Sequence, residues 1–197
     1  FLPLVIYFGN FYFLHEITQI RAGVAAAIFL ISVYYMSEGR KLVAFGVIAV
    51  ACMFHYSALS LFPLLFLDNK PMCRVKKMMM ASIVPMCFLL YFLNLDLLTT
   101  IPIPYVTDKV EGYKAASEFG AVAKNSILNP FPLIKMAVFL FLLYFADTVE
   151  RYVPSIHLLI KILGCSLVVY FAFSSITIIS IRISELYGIV ELVAYPC

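Results

Sequence analysis

Long apolar runs without a polar face constrain this chain more than any other feature of its sequence. Residues 133–146 and 158–173 are almost wholly apolar on every side of a helix. Such runs approach the ~20 residues that cross a membrane as a helix, whereas barrel strands alternate in polarity over about ten residues. The chain is 64% hydrophobic and 13% charged, against about 25% charged in soluble domains. The pattern predicts an all-α, polytopic bundle of transmembrane helices.

Apolar segments are separated along the chain by Gly, Pro and charged residues. About seven to eight are expected, over residues 2–14, 22–36, 42–54, 58–67, 78–95, 133–146, 158–173 and 176–195. The long connection at 96–130 is predicted to be a periplasmic loop. We expect one transmembrane domain over residues 1–197. We also expect it to be truncated at both ends, since the sequence starts inside an apolar run without Met and stops abruptly.

Charge, cysteines and missing motifs exclude several classes of protein. The net charge of +3 is too small to indicate nucleic acid, and its basic residues cluster between the apolar runs. The five cysteines are scattered without CxxC or Cys/His ligand spacing, which indicates packing residues. The sequence has no GxxxxGK[ST], HExxH, GxSxG or DxD motif, so ATP hydrolysis, zinc proteolysis, serine hydrolysis and metal-dependent nucleotide-sugar chemistry lack support. We expect no metal and no cofactor.

The stretch ACMFHYSALSLFPLLFL, residues 51–67, interrupts an apolar segment with polar groups. The loops on both sides, SEGRK and DNKPMCRVKK, are basic, so the positive-inside rule places both in the cytoplasm. A single straight span over 42–67 would separate them. A helix broken at His55 and folded back as a hairpin keeps them together, with its tip facing a polar cavity. The alternative is one tilted span with an internal His.

With this topology, Arg21, His55 and Arg182 lie near the same, outer leaflet. Arginine binds phosphate oxygens bidentately and keeps its charge, so two such residues could hold a pyrophosphate leaving group. His55 could act as a base or a hydrogen-bond donor, or only satisfy carbonyls at the helix break. Arg21 could be a snorkelling interfacial residue, and Arg182 could form a structural pair with Glu185 on its own helix. Ser57 suits a helix cap.

The 96–130 loop is long enough to be a lid or binding loop. Tyr105 and Tyr113 could stack on sugar rings, and Lys109 adds polarity. The alternative is a solvated amphipathic helix over about 107–122.

Three short motifs in this order resemble the EpsG-like branch of the Wzy polymerases. They are TQIRAGVA (18–25), MFHYSALSLFPLLFL (53–67) and ISIRIS (179–184). The family's Gln-x-Arg matches Gln19 and Arg21, its Phe-His-x-Ser-Ala matches 54–58, and its late intrahelical Arg matches Arg182. The chain departs from the family's usual pattern in two ways. It lacks further helices before the first Arg, which fits a truncated chain, and it has Thr18 where the family usually has an Asn.

The resemblance implies a multi-pass enzyme of the bacterial inner membrane with a GT-C-like architecture. It would polymerise undecaprenyl-pyrophosphate-linked repeat units of O-antigen (lipopolysaccharide), capsule or exopolysaccharide at the periplasmic face. Arg21 and Arg182 would hold the pyrophosphate and His55 the acceptor hydroxyl. Gln19, Ser57, Glu185 and the loop residues Tyr105, Lys109 and Tyr113 would bind substrate.

Expected partners are the lipid-linked glycan, membrane lipid, and chain-length regulator and flippase proteins, but no nucleic acid. Two rival functions stay open: a lipid-glycan transporter or flippase, and a related O-antigen ligase or membrane acyltransferase.

Overall fold

The computed structural model describes residues 2–7, 20–93, 130–173 and 177–195. Every regular element in these ranges is a helix, so the all-α prediction is confirmed there. The elements are α1 (Leu2–Ile6), α2 (Ile20–Ser37), α3 (Lys41–Phe54), a 3₁₀ helix (Tyr56–Phe66), α4 (Arg74–Phe92), α5 (Pro130–Val149), α6 (Ile156–Ala172), α7 (Thr177–Gly188) and α8 (Glu191–Ala194).

Two of the described helices, α2 and α5, are long and apolar enough to cross a membrane. The helices α3, α6 and the 3₁₀ helix are apolar but shorter. The number of membrane crossings and the GT-C-like architecture stay predictions.

Helices α2 and α3 form a tight antiparallel pair. Gly39 has a φ of 74° in the turn between them, a left-handed conformation that suits glycine. The buried residues of α2 recur at helical spacing and include Ala22, Ala25 and Ala26, while Ala44 and Ala51 are buried on α3. Small side chains let the two backbones approach closely. The start of α2 therefore lies beside the end of α3.

The predicted break at His55 is present. His55 has extended backbone angles (φ −150°, ψ 124°) between α3 and the 3₁₀ helix. The rings of Phe45 and Phe62, 17 positions apart in sequence, have centroids 5.0 Å apart. In one straight helix those residues would be roughly 25 Å apart. The chain therefore folds back at His55, and the alternative of one tilted span is wrong.

The returning arm of this hairpin is a 3₁₀ helix of 11 residues, although such runs rarely exceed three or four. Its buried residues, Ala58, Leu61 and Leu64, recur every third position, which is the period of a 3₁₀ helix. Pro63 lies inside it and has no N–H to donate. The apolar pattern thus matches the geometry that the chain adopts.

Helix α6 is the centre of the fold. It is buried on nearly every side and contacts α4, α5, α7 and α8, as expected for a helix that is apolar all round. A Cβ on Gly164 would lie 2.6 Å from Met80 Cε and 3.1 Å from Phe139 Cε2, so glycine allows α4 and α5 to approach. Ser166 Oγ donates to the Ser184 carbonyl at 2.7 Å, which joins α6 to α7.

Two predicted segments need correction. The apolar segment 176–195 is not one helix, because turn residues 189–190 separate α7 from α8. The segment predicted as 78–95 begins at Arg74, so three basic residues assigned to a loop lie in the first turn of α4. The loop 96–129 and its residues Tyr105, Lys109 and Tyr113 lie outside the described residues, as does Gln19.

Candidate functional site

Three elements that carry predicted site residues contact one another pairwise. Helix α2 contacts the 3₁₀ helix and α7, and α7 contacts the 3₁₀ helix. Arg21 lies in the first turn of α2, Ser57 in the first turn of the 3₁₀ helix, and Arg182 on α7. Residues distant in sequence are thus carried to one region around the hairpin tip. We call His55, Ser57 and Arg182 the tip site.

His55 and Arg182 are close enough to interact electrostatically. Arg182 is exposed and His55 is partly buried. The Nε2 atom of His55 is buried without a hydrogen-bond partner in the part of the chain that the structure describes. A buried polar atom without a partner is costly, so this imidazole is suited to receive a ligand group beside the guanidinium.

Ser57 does not cap the new helix. The residue at the cap position is His55, and no side chain caps that terminus. The Ser57 carbonyl accepts a hydrogen bond of 2.7 Å from Ser60 Oγ, while Ala58 N donates to the His55 carbonyl at 3.0 Å. The capping interpretation of Ser57 was wrong because the helix begins two residues earlier than such a role requires.

Arg21 is exposed near the tip. Counting outward from the turn at Gly39, Phe54 lies level with Val24, so Arg21 lies roughly 5 Å beyond the tip at 1.5 Å per residue. Its position is on the same end of the bundle as His55. The structure describes Arg21 next to the tip site, not in contact with it.

Glu185 interacts electrostatically with both Arg182 and Lys135. It forms no direct ion pair with Arg182 among the described residues, so the predicted local pair is looser than a salt bridge. Glu185 is instead part of a larger group of charges at the junction of α5, α7 and α8.

One ion pair in that group was not predicted. Lys135 Nζ on α5 lies 2.8 Å from Glu191 Oε1 on α8, and the Glu191 side chain is 0% exposed. A Cβ on Gly188 would lie 3.2 Å from the same oxygen. The sequence signal was a Lys in one apolar run and two Glu residues, Glu185 and Glu191, in another. Charged residues inside apolar runs favour a buried pair, but which Glu pairs with Lys135 depends on the turn at 189–190.

A second unpredicted contact ties α7 to the hairpin. The Tyr187 hydroxyl donates a hydrogen bond to the Ser60 carbonyl. This bond holds the helix that carries Arg182 against the arm that follows His55. Nothing in the local sequence marks Tyr187, because its partner lies 127 positions away.

Ion pairs also connect separate elements at the end of the bundle opposite the tip site. Lys161 Nζ lies 2.5 Å from Asp68 Oδ1 and also donates to the carbonyls of Asp68 and Lys70, at 2.7 and 3.1 Å. Lys77 Nζ lies 2.6 Å from Asp147 Oδ1. The hydrogen bond from Lys161 holds the pKa of the Asp68 carboxyl below its usual value. The contacts of Lys161 fasten the 67–73 loop to α6, and the pair of Lys77 with Asp147 joins α4 to α5.

No group of three or more His, Cys, Asp or Glu side chains suited to a metal ion occurs within the described ranges. The tip site offers the imidazole of His55 and the guanidinium of Arg182. Such a pair can bind an anion and a hydroxyl group side by side.

Comparison with known families identifies the chain. The model of the EpsG family matches residues 1–197. The chain belongs to the EpsG family. The resemblance inferred from the three sequence motifs is thereby confirmed. Membership of the EpsG family indicates a polysaccharide-related membrane protein. No curated protein and no solved structure matches this EpsG-family chain.

Proposed function

We propose that this protein polymerises oligosaccharide repeat units carried on undecaprenyl pyrophosphate, as a glycosyltransferase at the periplasmic face of the bacterial inner membrane. The product would be an O-antigen, capsule or exopolysaccharide chain. The observation that carries the proposal is His55 at the hairpin tip, whose Nε2 is buried without a partner among the described residues and which lies within electrostatic range of Arg182. Family membership supports the polysaccharide context.

The reaction transfers a glycan between two lipid carriers. A hydroxyl oxygen of the incoming lipid-linked unit attacks the anomeric carbon of the growing glycan, and a new glycosidic C–O bond forms. The bond from that carbon to the carrier pyrophosphate breaks, and its electron pair leaves with the phosphate oxygen. The acceptor proton passes to His55 Nε2 and then to water.

Arg182 stabilises the charge that develops on the leaving pyrophosphate. A fixed guanidinium is effective there, because it strengthens its contact as the anion forms. Arg21, on the neighbouring helix, holds the second phosphate. Gln19, Ser57 and Glu185 orient the sugars around the reacting centre.

Substrate enters this reaction from the membrane. The 96–130 loop covers the glycan through Tyr105, Lys109 and Tyr113, while the lipid tail stays in the bilayer. In a multi-pass, GT-C-like arrangement the basic loops face the cytoplasm and the hairpin tip opens to the periplasm. Each arm of the hairpin is roughly 21 Å long by helical rise, which leaves the tip below the outer surface of a core of about 30 Å. Chain-length regulator and flippase proteins are the expected protein partners.

The decisive assay incubates purified full-length protein with a defined lipid-linked repeat unit in proteoliposomes. A ladder of products with new glycosidic bonds supports polymerisation. Movement of the substrate across the bilayer without new bonds indicates a transporter. Transfer of the glycan to a lipid that is not a repeat unit indicates a ligase.

Variants of Arg182 test the leaving-group role. We expect Arg182→Ala to lower the turnover rate by about 10²–10³-fold, as removal of one oxyanion donor does elsewhere. Arg182→Lys keeps the charge but loses the bidentate fork, so an intermediate rate is expected. Arg151→Ala is the matched control, since Arg151 is exposed on the connection between α5 and α6. Full activity of Arg182→Ala at normal protein levels would refute the role.

A further inference from the structure

An apolar groove opens at the end of the bundle opposite the tip site. It has a volume of about 490 Å³ and lies between the end of the 3₁₀ helix, the 67–73 loop, α4 and α6. Its walls include Met79, Met80, Ile83 and Val168. This size lies in the range of small-ligand pockets. Flexible methionines suit an apolar occupant of variable shape.

Three charged residues line this groove, namely Asp68, Lys76 and Lys161. Two of these charges neutralise each other, because the Lys161 ammonium group donates hydrogen bonds to Asp68 Oδ1 and to two carbonyls of the 67–73 loop. Lys76 is therefore the lining charge that forms no ion pair with another described residue. The groove combines a hydrocarbon-like interior with a cationic rim.

Further cations adjoin Lys76. Lys70 and Arg74 are exposed, and none of these three side chains forms an ion pair with another described residue. The neighbouring Lys77 is already bound to Asp147 at 2.6 Å. Lys76 thus lines the apolar groove, and Lys70 and Arg74 add two positive charges on the adjoining loop and first turn of α4.

We infer that this groove binds one anionic phospholipid of the cytoplasmic leaflet, with an acyl chain along α4 and α6 and its phosphate on Lys76, Arg74 and Lys70. Basic pockets between helices on the cytoplasmic side suit anionic headgroups. A soluble anion would leave the apolar walls without a partner, and a zwitterionic lipid would leave the cations uncompensated. The inference does not depend on the polymerase function.

The test uses full-length protein in nanodiscs or micelles with phosphatidylglycerol and phosphatidylcholine as probes. Native mass spectrometry counts retained lipids, and titration with fluorescent phosphatidylglycerol gives the affinity. We expect preferential retention of one phosphatidylglycerol. Because each basic residue near a membrane surface contributes about fivefold in binding, Arg74→Ala with Lys76→Ala should weaken it by about 25-fold.

Two further variants make the test specific. Lys41→Ala removes an exposed basic residue at the start of α3 that does not line the groove, and should leave the affinity within twofold. Ile83→Trp fills the groove without changing its charge and should also abolish retention. Equal retention of both lipids, unchanged affinity of the double variant, or persistent binding to Ile83→Trp would each overturn the inference. So would a dimer that occupies the groove, detected as a cross-link between residues at positions 79 of two copies.

Polymer formation is not the readout of this experiment. A protein that retains phosphatidylglycerol but forms no glycan ladder contradicts the proposed function only. A protein that forms the ladder but shows no lipid preference contradicts the groove inference only.

Discussion

Replacing Lys135 should destabilise the fold more than replacing its partner. The Glu191 side chain is 0% exposed and that of Lys135 is 24% exposed. Lys135→Met leaves a fully buried carboxylate without its counter-charge, and breaking a buried pair in this way costs about 3–5 kcal/mol. Glu191→Met leaves an ammonium whose long stem can reach a polar region. Its cost should be about 1–2 kcal/mol, close to that of a lost charged hydrogen bond.

The double variant separates pairing from packing. Replacing both partners with Met removes both charges, and an apolar substitute for a buried ion pair is often neutral or stabilising. We therefore expect Lys135→Met with Glu191→Met to be more stable than Lys135→Met alone. The coupling free energy of the cycle should be at least about 2 kcal/mol.

Thiol labelling measures these free energies of unfolding. Cys87 is buried and Cys165 partly buried, whereas Cys73 is exposed. In a background in which Cys52, Cys73 and Cys197 are replaced by Ser, a thiol-reactive dye reports exposure of Cys87 and Cys165 during unfolding in a denaturing detergent. Lys77→Met is the matched control, because its pair with Asp147 has a 71% exposed carboxylate and should contribute less than about 1 kcal/mol.

Two outcomes would refute this reasoning. One is a cost for Lys135→Met below about 1 kcal/mol, similar to an exposed pair. The other is a larger loss for Glu191→Met than for Lys135→Met, which would mean that packing or contacts of the carboxylate outweigh its pairing.

Three further predictions concern single side chains. Tyr187→Phe removes the hydrogen bond to Ser60 and should cost about 1 kcal/mol of unfolding free energy in the same labelling assay; no change would exclude that bond. His55→Gln should slow glycan transfer by about 10²–10⁴-fold at unchanged stability, and a stability loss instead would indicate a structural imidazole. Asp68→Asn should speed hydrogen exchange in the 67–73 loop at pH 7. When the two proteins are compared at the same pH, the wild-type exchange rate should approach that of the variant only below the usual Asp pKa of 3.8, since Lys161 holds the folded-state pKa of Asp68 lower. A wild-type rate that already matches the variant's rate at pH 5 would contradict this prediction.

The hairpin at His55 could be predicted from the sequence because the number of basic residues in the two flanking loops determines on which side of the membrane each loop lies. Two basic loops on either side of one apolar segment require an even number of passes between them, and the polar triplet marks where the chain turns. The ends of α3 agree with the predicted 42–54 to within one residue. The 3₁₀ geometry was not predicted, although the apolar residues Ala58, Leu61 and Leu64 recur with the three-residue period of such a helix.

The charge pairs could not be predicted from the sequence because they join elements that are distant along the chain. Glu191 reaches Lys135 only after the turn at 189–190 directs α8 toward α5, and that turn lies in an apolar run without Pro. Tyr187 looks like any buried aromatic residue until Ser60 is placed beside it. The roles of Arg21, His55, Ser57, Glu185 and Arg182 stay predictions, and Gln19 and the loop residues lie outside the described ranges.

The contacts around α7 explain how an exposed arginine can be held in a fixed position. Tyr187 fastens α7 to the 3₁₀ helix, and Ser166 fastens it to the central helix α6. The pair of Glu191 with Lys135 anchors the chain just after α7 ends. Arg182 is exposed, while the helix that carries it is bound on three sides. Preorganisation of this kind is what stabilisation of a developing anion requires, since the group need not reorganise during the reaction.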